Sequence, residues 1–232
     1  EYAKRVIRMG EDPATVENVG GLGDQNLRNM HLMSKAELEK SIGFSLEKPY
    51  VLVTYHPETA GGASAVGQFQ QLLTALEKLS VHVIFTKSNA DAGGAEINRC
   101  IDEICAIHPD KYIAFTSLGV LRYLSAMKYC AAVVGNSSSG VVETPTLGIP
   151  AVNIGRRQEG RILCQNVICC DADAASIQTA VEKALTPAFV QQAKATVSPY
   201  NGGDTSGRMV RGMERFLTGP RCGKPKIFYD GE

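Results

Sequence analysis

The chain of 232 residues carries 24 basic and 24 acidic side chains, so its formal net charge is zero, and 44% of its residues are hydrophobic. That length suits one large domain or two small ones, and the apolar fraction is enough for a buried core. A balanced charge argues against a nucleic-acid binder, whose phosphate contacts need a basic surplus, and no apolar run reaches the roughly 18 residues of a membrane span. No signal peptide opens the chain. Instead, EYAKRVIRMGE reads as the middle of an amphipathic helix, as expected of a piece of a longer protein. The cysteines (Cys100, Cys105, Cys130, Cys164, Cys169, Cys170 and Cys222) form no C-x-x-C pair, and their odd number makes a poor disulfide framework. They are expected as small hydrophobes in a reducing cytoplasm.

The first segment, GEDPATVENVGGLGDQNL, reads as a linker entering a domain. Its Gly20, Gly21 and Gly23 lack GxGxxG spacing and suggest no cofactor role. From Glu47 a repeating grammar begins. KPYVLVTYH, a β-branched and aromatic run bounded by proline, predicts a buried parallel strand. SAVGQFQQLLTALEKL follows, with Val66, Phe69, Leu72, Leu73 and Leu76 at helical spacing. VHVIFTK, YIAFTS, AAVVGN, PAVNIG and NVICC predict further strands. AGGAEINRCIDEICAIH, GVLRYLSAMKYC, a short piece after SSSG, DAASIQTAVEKAL, PAFVQQAKAT and GDTSGRMVRGMERFL predict helices. The tail GPRCGKPKIFYDGE has no periodicity and is expected to be loose or packed on something else.

Strands alternating with helices define an α/β fold, a doubly wound parallel sheet whose ligand site lies at the carboxyl ends of the strands. Polar residues gather at those ends: His56, then Lys87, Ser88 and Asn89, Thr116 and Ser117, Asn136 to Ser139, and Arg156 with Arg157. NSSSG at a strand-to-helix junction offers free backbone N–H groups, a helix dipole and hydroxyls at one point, a combination suited to phosphate. It is not a P-loop, because no G-K-[ST] follows. An ordinary helix cap accounts for one serine well and for three serines flanked by Asn136 and Gly140 less well.

Glu143, one turn on, can accept two hydrogen bonds from a vicinal diol. It fits equally a glutamate favoured by the dipole of a first helical turn. The guanidinium of Arg157 can clasp a phosphate or stack on a base, while Arg156 and Arg161 can equally pair with acids. His56 is the one histidine at a predicted strand end, placed to donate to a phosphate or move a proton. His31, His82 and His108 read as bystanders, and no H-x-x-H or H-E-x-x-H spacing implies zinc.

The stretch VVGNSSSGVVETPTLGIPAVNIGRRQEGR together with VTYHPET resembles the UDP-N-acetylglucosamine 2-epimerases, in particular the hydrolysing branch that makes N-acetylmannosamine for sialic-acid-type sugars. The likeness runs from the opening RVIRMGEDPATVENVGGLGDQN to about Leu217. It implies two Rossmann-like domains facing each other in the glycosyltransferase-B arrangement, of which this chain is the C-terminal, nucleotide-binding half. Residues 1–28 would then be the end of an inter-domain helix and linker, and 29–204 the Rossmann-like domain. Residues 205–218 would form a helix bracing the absent N-terminal domain, and 219–232 a tail.

Carried onto matching positions, the resemblance implies that Ser137 and Ser138 bind the UDP phosphates, Glu143 the ribose and Arg157 the nucleotide. Asn89 would line the cleft, Ser117 and Leu118 would hold the uracil, and His56 would stand at the reaction centre. The family reaction removes the proton at sugar C2, expels UDP and adds water, and it uses no metal or organic cofactor. Its acid and base carboxylates lie in the N-terminal domain, so this chain is expected to bind a UDP-sugar without turning it over. ETAGGAS after His56 departs from relatives that continue with threonine and charged residues, which leaves the sugar and the choice of UDP or GDP open. A glycosyltransferase of the same architecture and a non-catalytic nucleotide-sugar sensor remain as alternatives. Oligomeric state is open, a homo-oligomer included.

Overall fold

The computed structural model describes residues 1–58 and 64–231. Its strands are β1 (Tyr50–Thr54), β2 (His82–Thr86), β3 (Tyr112–Phe115), β4 (Ala132–Gly135), β5 (Ala151–Ile154) and β6 (Val167–Cys170). They form one six-stranded sheet in the order β3-β2-β1-β4-β5-β6, and every pairing is parallel. All five residues of β1 are buried because helices cover both faces of the sheet centre.

The helices are α1 (Tyr2–Arg8), α2 (Leu22–Asn29), α3 (Lys35–Ile42), α4 (Ala65–Glu77), α5 (Gly94–Ile107), α6 (Gly119–Tyr129), α7 (Ser139–Val142), α8 (Thr144–Leu147), α9 (Ala174–Ala184), α10 (Pro187–Lys194) and α11 (Thr205–Thr218). The period-2 alternation of the strands divides the core into two layers. Val51, Val53, Val83, Phe85, Val134 and Val152 pack with Phe69, Leu72, Ile97, Ile101, Ile177 and Val181 from α4, α5 and α9. Leu52, Ile84, Val133 and Ala151 face the other way, onto Leu38, Ile42, Ala126 and Met127 from α3 and α6. The predicted doubly wound α/β sheet is therefore the observed one.

Two helices were not expected. α2 begins inside the segment read as a linker. α3 carries a full capping box: Ser34 N–H donates to Glu37 Oε2 at 2.8 Å and Glu37 N–H donates to Ser34 Oγ at 3.3 Å. The helix after NSSSG is also different, because it breaks at Glu143 into α7 and α8 of four residues each.

By its internal contacts the chain divides into two compact units, residues 29–199 and residues 1–28 together with 200–232. Within the second unit α11 is tied to the opening residues: Arg215 pairs with Glu17 at 2.6 Å, and Arg208 donates to the Asn18 carbonyl at 2.7 Å. The tail is held there too. Arg221 pairs with Asp12 at 3.0 Å, Lys226 pairs with Glu11, and Tyr229 N–H donates to the Gly10 carbonyl at 2.9 Å.

Among the described residues every cysteine is a free thiol, with Cys169 and Cys222 exposed. Burial pushes the Cys130 thiol up to about 12. Among the described residues no cluster of His, Cys, Asp and Glu is arranged to hold a metal ion, and no helix is long and apolar enough to cross a membrane.

Candidate functional site

The strand order reverses between β1 and β4, so the loops after these neighbours diverge and leave a crevice at their carboxyl ends. Gly135 closes β4 with φ +135°, and any Cβ there would collide with the Thr54 carbonyl oxygen of β1. The residue after it, Asn136, is fully buried. Its side-chain amide clamps both backbone groups of His56 in the β1 loop: His56 N–H donates to Oδ1 at 2.8 Å, and Nδ2 donates to the His56 carbonyl at 2.8 Å. Its own carbonyl accepts from Arg157 Nη1 at 3.2 Å and from Gln158 Nε2 at 2.8 Å, both in the loop after β5. One residue thus gathers the loops of three adjacent strands, through its side-chain amide and its backbone carbonyl. Neither Asn136 as a clamp nor Gln158 was singled out from sequence.

The serine turn stands directly on this clamp. Ser137 Oγ lies 3.3 Å from Ser139 Oγ and accepts from Ser139 N–H at 3.4 Å. The Ser138 carbonyl accepts from Val141 and Val142, at 3.0 and 2.9 Å, to start α7. The Ser138 hydroxyl makes no capping bond, so an ordinary helix cap does not account for it. With only four residues in α7, the dipole expected from sequence is small. What the turn offers an anion is hydroxyls and backbone N–H groups.

Glu143 sits at the break between α7 and α8, with Pro145 two residues on, where its missing N–H costs nothing. Burial raises the Glu143 carboxyl above its ordinary value of 4.5, against its own backbone N–H and the Arg161 guanidinium, which lower it. Its Oε2 is buried without a hydrogen-bond partner among the described residues. A half-buried carboxylate with an unsatisfied oxygen is suited to accept donors from a ligand. The Tyr123 hydroxyl is buried nearby, against the hydroxyls of Ser139 and Thr54. Burial pushes Tyr123 up, with Ser139, Thr54 and Glu143 as its polar neighbours.

The ring of His56 accepts the Asn89 N–H at Nδ1, 3.2 Å away, with Ser88 Oγ at 3.5 Å. An N–H donated to Nδ1 leaves the ring proton on Nε2, so neutral His56 is a donor there. Burial, with a further push from Arg157, lowers its pKa below the ordinary 6.5. Asn89 meets His56 through its backbone, since its side chain is tied to Asp91 at 2.6 Å. Asn98 of α5 clamps this loop much as Asn136 does the first, accepting from Ser88 N–H at 2.7 Å and donating to its carbonyl at 3.2 Å.

Two strand-end cations point elsewhere: Lys87 pairs with Asp102 at 2.7 Å and Arg156 with Glu159 at 2.5 Å. Ser117 accepts the Gly119 N–H at 3.1 Å, opening α6. Leu118 is 2% exposed as a whole residue and packs in the core, so it anchors the turn that carries Ser117 and does not itself face a ligand. Residues 59–63, most of the ETAGGAS stretch, lie outside the described residues.

Fold and site together define a doubly wound α/β domain with a serine turn at its switch point. The chain belongs to the UDP-N-acetylglucosamine 2-epimerase family, whose model matches residues 1–214. It is 38% identical over 191 residues to the GDP/UDP-N,N'-diacetylbacillosamine 2-epimerase (hydrolyzing) of Campylobacter jejuni, covering 82% of this chain and 49% of that protein. It is 35% identical to the polysialic acid biosynthesis protein P7 of Escherichia coli, covering 99% of this chain and 58% of the relative. The chain thus spans about half the length of these relatives. Among solved structures, the UDP-GlcNAc 2-epimerase of Neisseria meningitidis bound to UDP-GlcNAc superposes with a TM-score of 0.73 at 13% identity, over 92% of this chain and 59% of that one. That likeness is one of fold.

Proposed function

We propose that this chain is the nucleotide-binding half of a hydrolysing UDP-N-acetylglucosamine 2-epimerase. What supports this reading is the grouping of His56, the serine turn and Arg157 around Asn136, with the buried and unsatisfied Glu143 carboxylate one turn beyond the serines. Ser137 and Ser138 take the phosphates of UDP, Glu143 the ribose hydroxyls, and Arg157 the charge of the diphosphate. Ser117, on a turn anchored in the core by Leu118, flanks the base, and Asn89 sets the His56 ring. As the sugar loses its C2 proton, the bond to UDP breaks and negative charge grows on the leaving phosphate. Preorganised N–H and hydroxyl donors with Arg157 stabilise that charge, and neutral His56 donates from Nε2. Water then completes N-acetylmannosamine. The carboxylates that move the C2 proton belong to the domain that α11 braces. This role suits α11, whose Met213, Phe216 and Leu217 are 56%, 51% and 64% exposed.

The Campylobacter relative favours a second substrate, an N,N'-diacetylbacillosamine on UDP or GDP, with the same site and the same chemistry.

The test is a calorimetric titration of the chain with UDP, GDP and AMP. Selective UDP binding that falls on mutating Glu143 or Arg157 supports the reading. A GDP preference moves the substrate to a GDP-sugar. Should no nucleotide bind either this chain or the full-length protein, the reading fails.

A further inference from the structure

One contact between the β1 and β5 loops plays no part in the nucleotide reading. A single oxygen of Glu58, Oε1, accepts the backbone N–H groups of both Arg156, at 3.0 Å, and Arg157, at 3.1 Å. Gly155 stands just before them with φ +71°, and a Cβ there would collide with that same oxygen. Two successive amides converging on one carboxylate oxygen, with a glycine to admit it, form a built anchor. The Arg156 side chain is engaged by Glu159, so Glu58 holds backbone rather than a guanidinium.

Glu58 lies two residues beyond His56. The β1, β4 and β5 loops therefore close a ring: His56 to Asn136, Asn136 to Arg157, and Arg157 back through Glu58. A carboxylate cannot itself serve as a phosphate ligand, and its charge beside a diphosphate is unfavourable. Its use here is to fix geometry. A guanidinium on a free loop loses affinity through the entropy of ordering it, whereas one on an anchored loop is preorganised.

We propose that Glu58 is a positioning residue that locks the β5 loop to the β1 loop, so that Arg157 and His56 address the same diphosphate. The positioning role rests on the nucleotide reading; the lock does not.

Amide hydrogen exchange tests the lock without ligand. In Glu58→Ala the Arg156 and Arg157 amides should exchange about 10-fold faster or more, with Glu58→Gln, which keeps an acceptor oxygen, in between. Unchanged rates overturn the lock. UDP titration tests the positioning. Glu58→Ala should weaken UDP about 10-fold in the wild-type background but less than about twofold in Arg157→Ala, because the two act as one unit. Glu58→Gln should recover most of the loss. Equal losses in both backgrounds, as general loosening would give, overturn the positioning role. A wild-type protein that does not bind UDP removes the nucleotide reading and the positioning role with it, and the exchange rates still decide the lock.

Discussion

At the scale of single residues, Glu143 carries a conflict that can be measured. Burial raises its pKa from 4.5, so its ionised form costs stability in the free protein, yet that form is the one the proposed ribose role needs. Glu143→Gln should therefore hold or raise the melting temperature while weakening UDP by about 1–3 kcal/mol, the range for losing a charged hydrogen-bond partner. Wild-type-like UDP affinity would refute the ribose role. The pH dependence has a definite sign. As pH falls, Glu143 protonates earlier than an ordinary glutamate and affinity drops. The ratio of wild-type to Glu143→Gln affinities isolates this fall, since the ligand's own titration cancels. His56 acts in the opposite direction. Its lowered pKa keeps it neutral at pH 7, and a cation formed below about 6.5 strengthens diphosphate binding, a gain that His56→Gln should abolish.

Asn136 is the other residue whose loss is quantifiable. Asn136→Ala removes two bonds to His56 from a buried position. It leaves that N–H and carbonyl unpaired, at about 1–3 kcal/mol each, so urea denaturation should show a loss of at least about 2 kcal/mol. None of this is legible locally. The two partners are 80 positions apart, and an asparagine before three serines reads as loop. Glu143 and Arg157 could be nominated because their charge and strand-end placement carry information, whereas clamps such as Asn136 and Asn98 acquire meaning only when distant loops meet.

At the scale of elements, the strands were readable because buried parallel strands are continuous β-branched runs with proline or polar boundaries, as in KPYVLVTYH. α3 was missed because it has little apolar stripe, with Leu38 and Ile42 its buried residues. Its signal was the S-x-x-E of SKAE followed by Gly43, whose φ of 65° ends the helix. The break at Glu143 was hidden because Pro145 is compatible with a helix start and so does not announce an interruption two residues earlier. Lys111, unremarkable in sequence, is the cap of α4: its Nζ donates to the carbonyls of Leu76, Glu77 and Leu79 at 2.9, 3.0 and 2.8 Å. A cation on the orphan carbonyls of a helix end also suits the helix dipole. Lys111→Met should cost about 1–3 kcal/mol in chemical denaturation with little change in UDP affinity, because β3 enters the sheet at the end opposite the crevice.

At the scale of the whole molecule, the sheet order explains why one edge carries the chemistry. Connections that depart in opposite directions from β1 and β4 leave an opening at their carboxyl ends, bridged at its base by the Asn136–His56 pair. Because the chain covers 49% of the Campylobacter relative, we expect it to bind UDP while releasing no free sugar from UDP-N-acetylglucosamine. The full-length protein should release N-acetylmannosamine in a coupled product assay, and turnover by this chain alone would overturn the division of labour. The distribution of thiols has a practical consequence. The two exposed cysteines fall one in each unit, Cys222 in the terminal unit and Cys169 in the sheet-bearing one. The buried Cys130 is protected by a pKa near 12. With the half-buried Cys100, Cys105, Cys164 and Cys170 replaced by alanine, a donor and an acceptor dye on the native Cys169 and Cys222 would then report the distance between the units in single molecules, with and without nucleotide.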